Sequence, residues 1–204
     1  METWSNFYNC DEEKTNYYMF KWPSSNILSF ICKIMIHFIF SATSFIRCYK
    51  KAEYVGRLLA LFLINNDEFS NCQINLVGFS LGCHVIINCL KELNEFKNHR
   101  FMINNVLLMG GATVIDDSEK DIWRNIILDN IGGRIINCYS NHDEVLSKLF
   151  QACIFKTPIG LKKIDIKDEN GNSIIENHDF SDIKLGHLLY RNNFKTILNR
   201  INFF

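Results

Sequence analysis

The hydrophobic period of the chain changes abruptly at one point. Residues 73–77 read as a short apolar strand, and residues 81–93 place Val85, Ile86, Cys89, Leu90 and Leu93 on one side of a helix. Between them stands Gly78-Phe79-Ser80-Leu81-Gly82. A serine on a strand-to-helix turn constrains the fold strongly. The turn must be sharp, and the serine backbone is strained so that Oγ projects beyond the sheet. Gly78 and Gly82 leave room for strand and helix to approach each other. The backbone N–H of Leu81, at the helix N-terminus, is placed to stabilise an oxyanion. The bland reading is a Gly-Ser turn without chemistry; the strand and helix flanks argue against it.

Strands and helices continue to alternate. Val106-Leu107-Leu108-Met109 is a second apolar strand, stopped by Gly110-Gly111. A polar helix is expected near residues 118–128, and Gly132-Gly133 turns the chain into a third strand over 134–139. Upstream, residues 52–64 carry Val55, Leu58, Leu59, Phe62 and Leu63 on a helical period. Residues 17–22 read as a short strand ending at Pro23, and residues 1–16 as a loose lead-in. Residues 162–166 are a plausible strand, 168–172 a turn and 194–203 a closing helix. This order favours an α/β domain with a mostly parallel sheet flanked by helices. In such sheets ligands sit beyond the C-terminal strand ends. The residues there are Ser80, Gly110-Gly111 and the stretch 140–143.

A serine hydroxyl needs a base, and the base needs an orienter. In α/β-hydrolases the order is Ser, then Asp or Glu, then His. His84 lies one helical turn past Ser80, on the wrong arm of the turn, and reads as a solvated or capping helix residue. His99 falls in a polar loop. His178 and His187 both come late enough, and His187 precedes the last helix, where the base loop belongs. For the acid, Asp143 follows the third strand, with Glu144 beside it. Asp143 also reads as the N-cap of a helix over 145–150.

Composition removes other classes. With 48% hydrophobic and 22% charged residues, the 204-residue chain can bury a real core as a single domain. Its formal net charge is +0 without a basic stripe, so nucleic acid is not an expected partner. The 8 cysteines form no Cys-x-x-Cys pair, so neither metal nor other cofactor is expected. The N-terminus lacks the pattern of a signal peptide. That points to an intracellular chain, cytosolic or membrane-associated, with reduced thiols. Residues 27–46 are the most apolar stretch. They read as a buried or lid helix, as an interfacial helix with Lys33 snorkelling, or as a span, although the uncharged run 34–46 falls short of the roughly 20 residues a bilayer needs.

Taken in order, these segments resemble the C-terminal part of the catalytic domain of the transmembrane and coiled-coil domain-containing protein 4 family. The matching stretches are Phe20-Lys21-Trp22, residues 52–60, residues 75–82 with Val85-Ile86, and residues 106–112 with Trp123. They continue through Gly133-Arg134, Asn137-Cys138-Tyr139-Ser140 with Asp143, residues 177–182, and Gly186-His187 with Tyr190-Arg191. The resemblance implies an α/β-hydrolase-like fold, a lipase or esterase activity on a lipid or acyl ester, and association with membranes. It makes 27–46 an apolar insertion able to meet a membrane surface. It puts Ser80, Asp143 and His187 on the family's triad positions, and makes Tyr190-Arg191 structural. Cys83 and His84 stand where the family has Ala and Arg, a change expected to affect packing. The family's earlier strand and glycine-containing loop supply a second oxyanion N–H, and the chain starts after them, so the expected domain lacks the N-terminal strands. A competing expectation follows: a hydrolase-like protein without turnover, acting as a membrane-associated interaction module.

Overall fold

A computed structural model describes Tyr18 and residues 38–96 and 100–203. The strand expected at 17–22 lies outside the described residues except for Tyr18, as do the lead-in, His99 and residues 27–37 of the apolar stretch.

Four strands form one parallel sheet in sequential order: β1 (Gln73–Phe79), β2 (Met102–Met109), β3 (Ile135–Tyr139) and β4 (Glu176–Asp179). Helix α1 (Phe38–Asn65) precedes the sheet. Helix α2 (Leu81–Glu95) joins β1 to β2, and α3 (Lys120–Asn130) joins β2 to β3. After β3 a π-helical turn, Val145–Phe150, runs into the short α4 (Gln151–Ile154), and α5 (Phe194–Arg200) closes the chain. The architecture is therefore α/β with a helix-flanked parallel sheet, as the alternation of periods predicts.

The sheet is covered on both faces, which is why β2 and β3 read as unbroken apolar runs. Val106 and Leu108 pack with α1, α2 and α3. Leu107, Met109, Ile136 and Cys138 point the other way, against Phe180, Phe194 and Ile197. A third cluster, built on Phe45, Leu81, Leu146, Leu149 and Phe150, lies at the C-terminal end of the strands.

Three sequence expectations need correction. The helical repeat over 52–64 is part of one longer helix that begins at Phe38. Its inward stripe is Ala52, Val55, Leu59, Ala60 and Leu63, while Leu58 and Phe62 are exposed. The small residues decide this. A side chain at Gly56 would collide with the Val85 carbonyl and Asn88, so α1 turns its Ala52–Gly56–Ala60 face to α2. Second, 162–166 is not a ladder strand. It is an extended segment with Ile164 and Ile166 buried, held by the Asn177 amide, which accepts from Ile164 N at 2.7 Å and donates to Ile164 O at 2.9 Å. The sheet position belongs to β4, whose polar Glu-Asn-His-Asp sequence carries no strand signal. Third, His84 is not solvated. It is buried and stacks on Tyr49 of α1, centroids 3.8 Å apart, with Nδ1 2.8 Å from Thr113 Oγ1.

Candidate active site

The parallel strands aim their C-terminal ends at one edge of the domain, and the candidate residues collect there. Ser80 follows β1 with φ 54° and ψ −122°, a backbone that side-chain-bearing residues avoid. Two ladder-like bonds hold it: Ser80 N donates to Met109 O at 3.0 Å, and Ser80 O accepts from Ala112 N at 3.1 Å. The chain then enters α2, so the Leu81 N–H stands in the first turn, where helical N–H groups have no partner within the helix. Of the two flanking glycines, only Gly78 is sterically required. A Cβ there would meet Ile86 Cδ1 at 2.7 Å and Cys83 N at 3.0 Å, whereas one at Gly82 would meet nothing within 4 Å.

His187 Nε2 lies 2.8 Å from Ser80 Oγ, and His187 Nδ1 lies 2.6 Å from Asp143 Oδ2. Both partners of the serine are buried, Asp143 completely and His187 to all but 4%. An ionised carboxylate can only accept, so Nδ1 carries the proton and Nε2 is left to accept from the Ser80 hydroxyl. The Phe79 ring lies against the imidazole, centroids 5.0 Å apart, and against Tyr190 at 5.6 Å. Tyr190 is buried, with its hydroxyl 3.4 Å from Cys138 O. Burial holds its phenol well above the ordinary range.

The other candidates sit elsewhere. His178, on β4, lies 3.7 Å from Glu176. Glu144 is exposed and pairs with Lys148 at 2.9 Å. The Asp143 carboxylate has two partners: Oδ1 accepts from Leu146 N at 3.0 Å, at the entry to the π-helical turn, while Oδ2 faces His187. Cys83 is buried three residues past Ser80, and desolvation pushes its thiol up to about 12, so it is no rival nucleophile at neutral pH.

A cleft opens beside Ser80 and His187. One wall is α1, through Phe45 and Cys48; the other is the π-helical turn, through Val145, Leu146, Leu149 and Phe150. Leu81 and Ala112 complete it. Apart from Leu81, none of these residues is marked in the sequence as lining a site. Phe45 lies at the end of the apolar 27–46 stretch, and lid placement was one of the readings of that stretch. Nothing in the sequence marks residues 145–150 as its counterpart. Among the described residues, no helix is long and apolar enough to cross a membrane.

The chain shares 27% identity over 74% of its length with the transmembrane and coiled-coil domain-containing protein STS1 of Oryza sativa subsp. japonica. It shares 35% over 74% with the Saccharomyces cerevisiae protein named probable lipase MIL1. It shares 32% over 75% with the uncharacterized membrane protein C6F6.13c of Schizosaccharomyces pombe. The matched part spans 21%, 13% and 18% of those proteins' own lengths, respectively. No solved structure matches the chain. A family model described as "Protein of unknown function (DUF726)" matches residues 18–204, in line with the resemblance drawn from the motifs. The chain belongs to the DUF726 family.

Proposed function

We propose that this domain is a serine hydrolase of α/β-hydrolase type, with Ser80 as nucleophile, His187 as base and Asp143 as its orienter. One observation carries the reading: a buried hydrogen-bonded series from Asp143 Oδ2 through His187 to Ser80 Oγ, ending on a serine with positive φ. A structural serine needs neither the strained backbone nor a buried carboxylate–imidazole pair behind it. The sequential parallel order β1 to β4, with nucleophile, acid and base after β1, β3 and β4, supports the hydrolase topology.

In the reaction, Ser80 Oγ bonds to the substrate carbonyl carbon as its proton passes to His187 Nε2. Asp143 stabilises the imidazolium by its fixed charge. The carbonyl oxygen becomes an oxyanion, for which the Leu81 N–H is one donor. His187 then protonates the leaving alkoxide, leaving an acyl-serine. Water, deprotonated by His187, releases the acid and restores Ser80. Among the described residues, the cleft walls carry no Asp, Glu, Lys or Arg side chain, which favours an uncharged apolar ester. The yeast relative's name, probable lipase, agrees with that class.

A fluorophosphonate probe tests the reading. The protein should be labelled, and Ser80→Ala should abolish labelling. Labelling that survives in Ser80→Ala would remove Ser80 as nucleophile. A folded wild-type protein that neither labels nor turns over esters would favour the non-catalytic interaction module.

A further inference from the structure

The two walls of the cleft come from different parts of the chain, and they touch. Phe45 of α1 and Phe150 of the π-helical turn meet edge-to-face, centroids 5.9 Å apart. Tyr49, one turn along α1, packs on the same Phe150 ring at 5.8 Å. Burial separates mouth from floor. Ser80, Cys48 and Val145 are part-exposed, while Phe150 is completely buried and Phe45 is 8% exposed. A chain entering beside Ser80 and running between the walls therefore stops where they close on each other.

We infer that the Phe45–Phe150 contact is an acyl-chain stop, which makes this site selective for esters of short-chain acids. The inference rests on the serine-hydrolase reading for its chemistry and on the aromatic contact for its length limit. An aromatic pair suits the task, because it is stiff and well packed. Tyr49 behind it is itself fixed by its stack on His84, so the stop does not yield to a longer chain. One methylene too many in such a pocket costs roughly 10–200-fold in kcat/KM.

The experiment is an acyl-length series of p-nitrophenyl esters, from butyrate through octanoate to laurate, on the wild type and on Phe45→Leu. Leucine keeps the core filled better than alanine would, and circular dichroism checks the fold. The wild type should prefer butyrate, and Phe45→Leu should raise the laurate-to-butyrate kcat/KM ratio by about tenfold or more. In parallel, displacement of Nile red by the corresponding methyl esters is measured with Ser80→Ala and with Ser80→Ala/Phe45→Leu, where no turnover intervenes. A wild type that takes laurate as well as butyrate overturns the stop, and so does an unchanged length profile in folded Phe45→Leu. If the wild type hydrolyses no ester, yet the methyl esters show a length cut-off that Phe45→Leu relaxes, the hydrolase reading fails while the stop stands. Absence of both turnover and displacement removes both.

Discussion

Asp143 divides its carboxylate between two tasks: Oδ2 lies 2.6 Å from His187 Nδ1, and Oδ1 accepts the Leu146 N–H. The acid of the proposed site thus also anchors the turn that forms one wall of the cleft. The two tasks respond differently to substitution. Asp143→Asn keeps an oxygen for Leu146 but can present an amide N–H to His187, which favours the wrong tautomer. The rate of fluorophosphonate labelling should fall by about 10³–10⁴-fold with little change in melting temperature. Asp143→Ala should lose the same activity and also about 1–3 kcal/mol of stability, as the cap disappears and the Leu146 N–H is left buried. An Asn variant that labels within a few-fold of the wild-type rate would show that His187 does not depend on Asp143.

Ser80 holds φ 54° and ψ −122°, so its substitution separates strain from chemistry. Alanine inherits the strain; glycine does not. Ser80→Gly should therefore be more stable than Ser80→Ala by about 1–3 kcal/mol in urea denaturation, with labelling abolished in both. Equal stability of the two variants would mean that the turn relaxes once the hydroxyl is gone.

The strand-to-helix turn at Ser80, the sheet direction and the residues past the strand ends were legible because each rests on local pattern: period, glycine and chain order. Order and resemblance favour His187 over His178; in the structure His187 Nε2 lies 2.8 Å from Ser80 Oγ, while His178 lies beside Glu176. What sequence missed is long-range. Glu176–Asp179 becomes a strand because β3 offers it an edge, with Asn137 paired to Asn177 in register, not through any propensity of its own. Leu58 and Phe62 have the right spacing for a core face, but Gly56 and its alanine neighbours fit closer against α2. His84 looks like a surface residue until Tyr49, 35 positions earlier, covers it.

The Gly78–Gly82 pair reads symmetrically in sequence and is not so in space. Gly78→Ala drives a Cβ against the Cys83 backbone and Ile86, so overpacking should cost about 1–3 kcal/mol. Gly82→Ala meets open space in the first turn of α2 and should be neutral, or stabilising by up to about 1 kcal/mol through helix propensity. Urea midpoints of the two variants decide it. Equal losses would put the requirement on backbone freedom rather than on packing.

The buried His84 gives stability a dependence on pH that is separate from the chemistry of the site. Desolvation first, then repulsion from Lys91, lowers its folded value to about 4 from an ordinary 6.5. Below pH 6.5 the unfolded chain therefore takes up a proton that the folded one refuses. Unfolding is favoured as pH falls, and the contribution of His84 is whole above 6.5 and lost on the way down to 4. The full loss is about 3 kcal/mol. His84→Phe keeps a ring against Tyr49 and removes the titration. Between pH 6.5 and 5, the unfolding free energy of the wild type should fall more steeply than that of His84→Phe, whatever their absolute values. Parallel slopes across that window would mean that His84 is protonated equally in both states, and that its stack on Tyr49 does not keep it neutral.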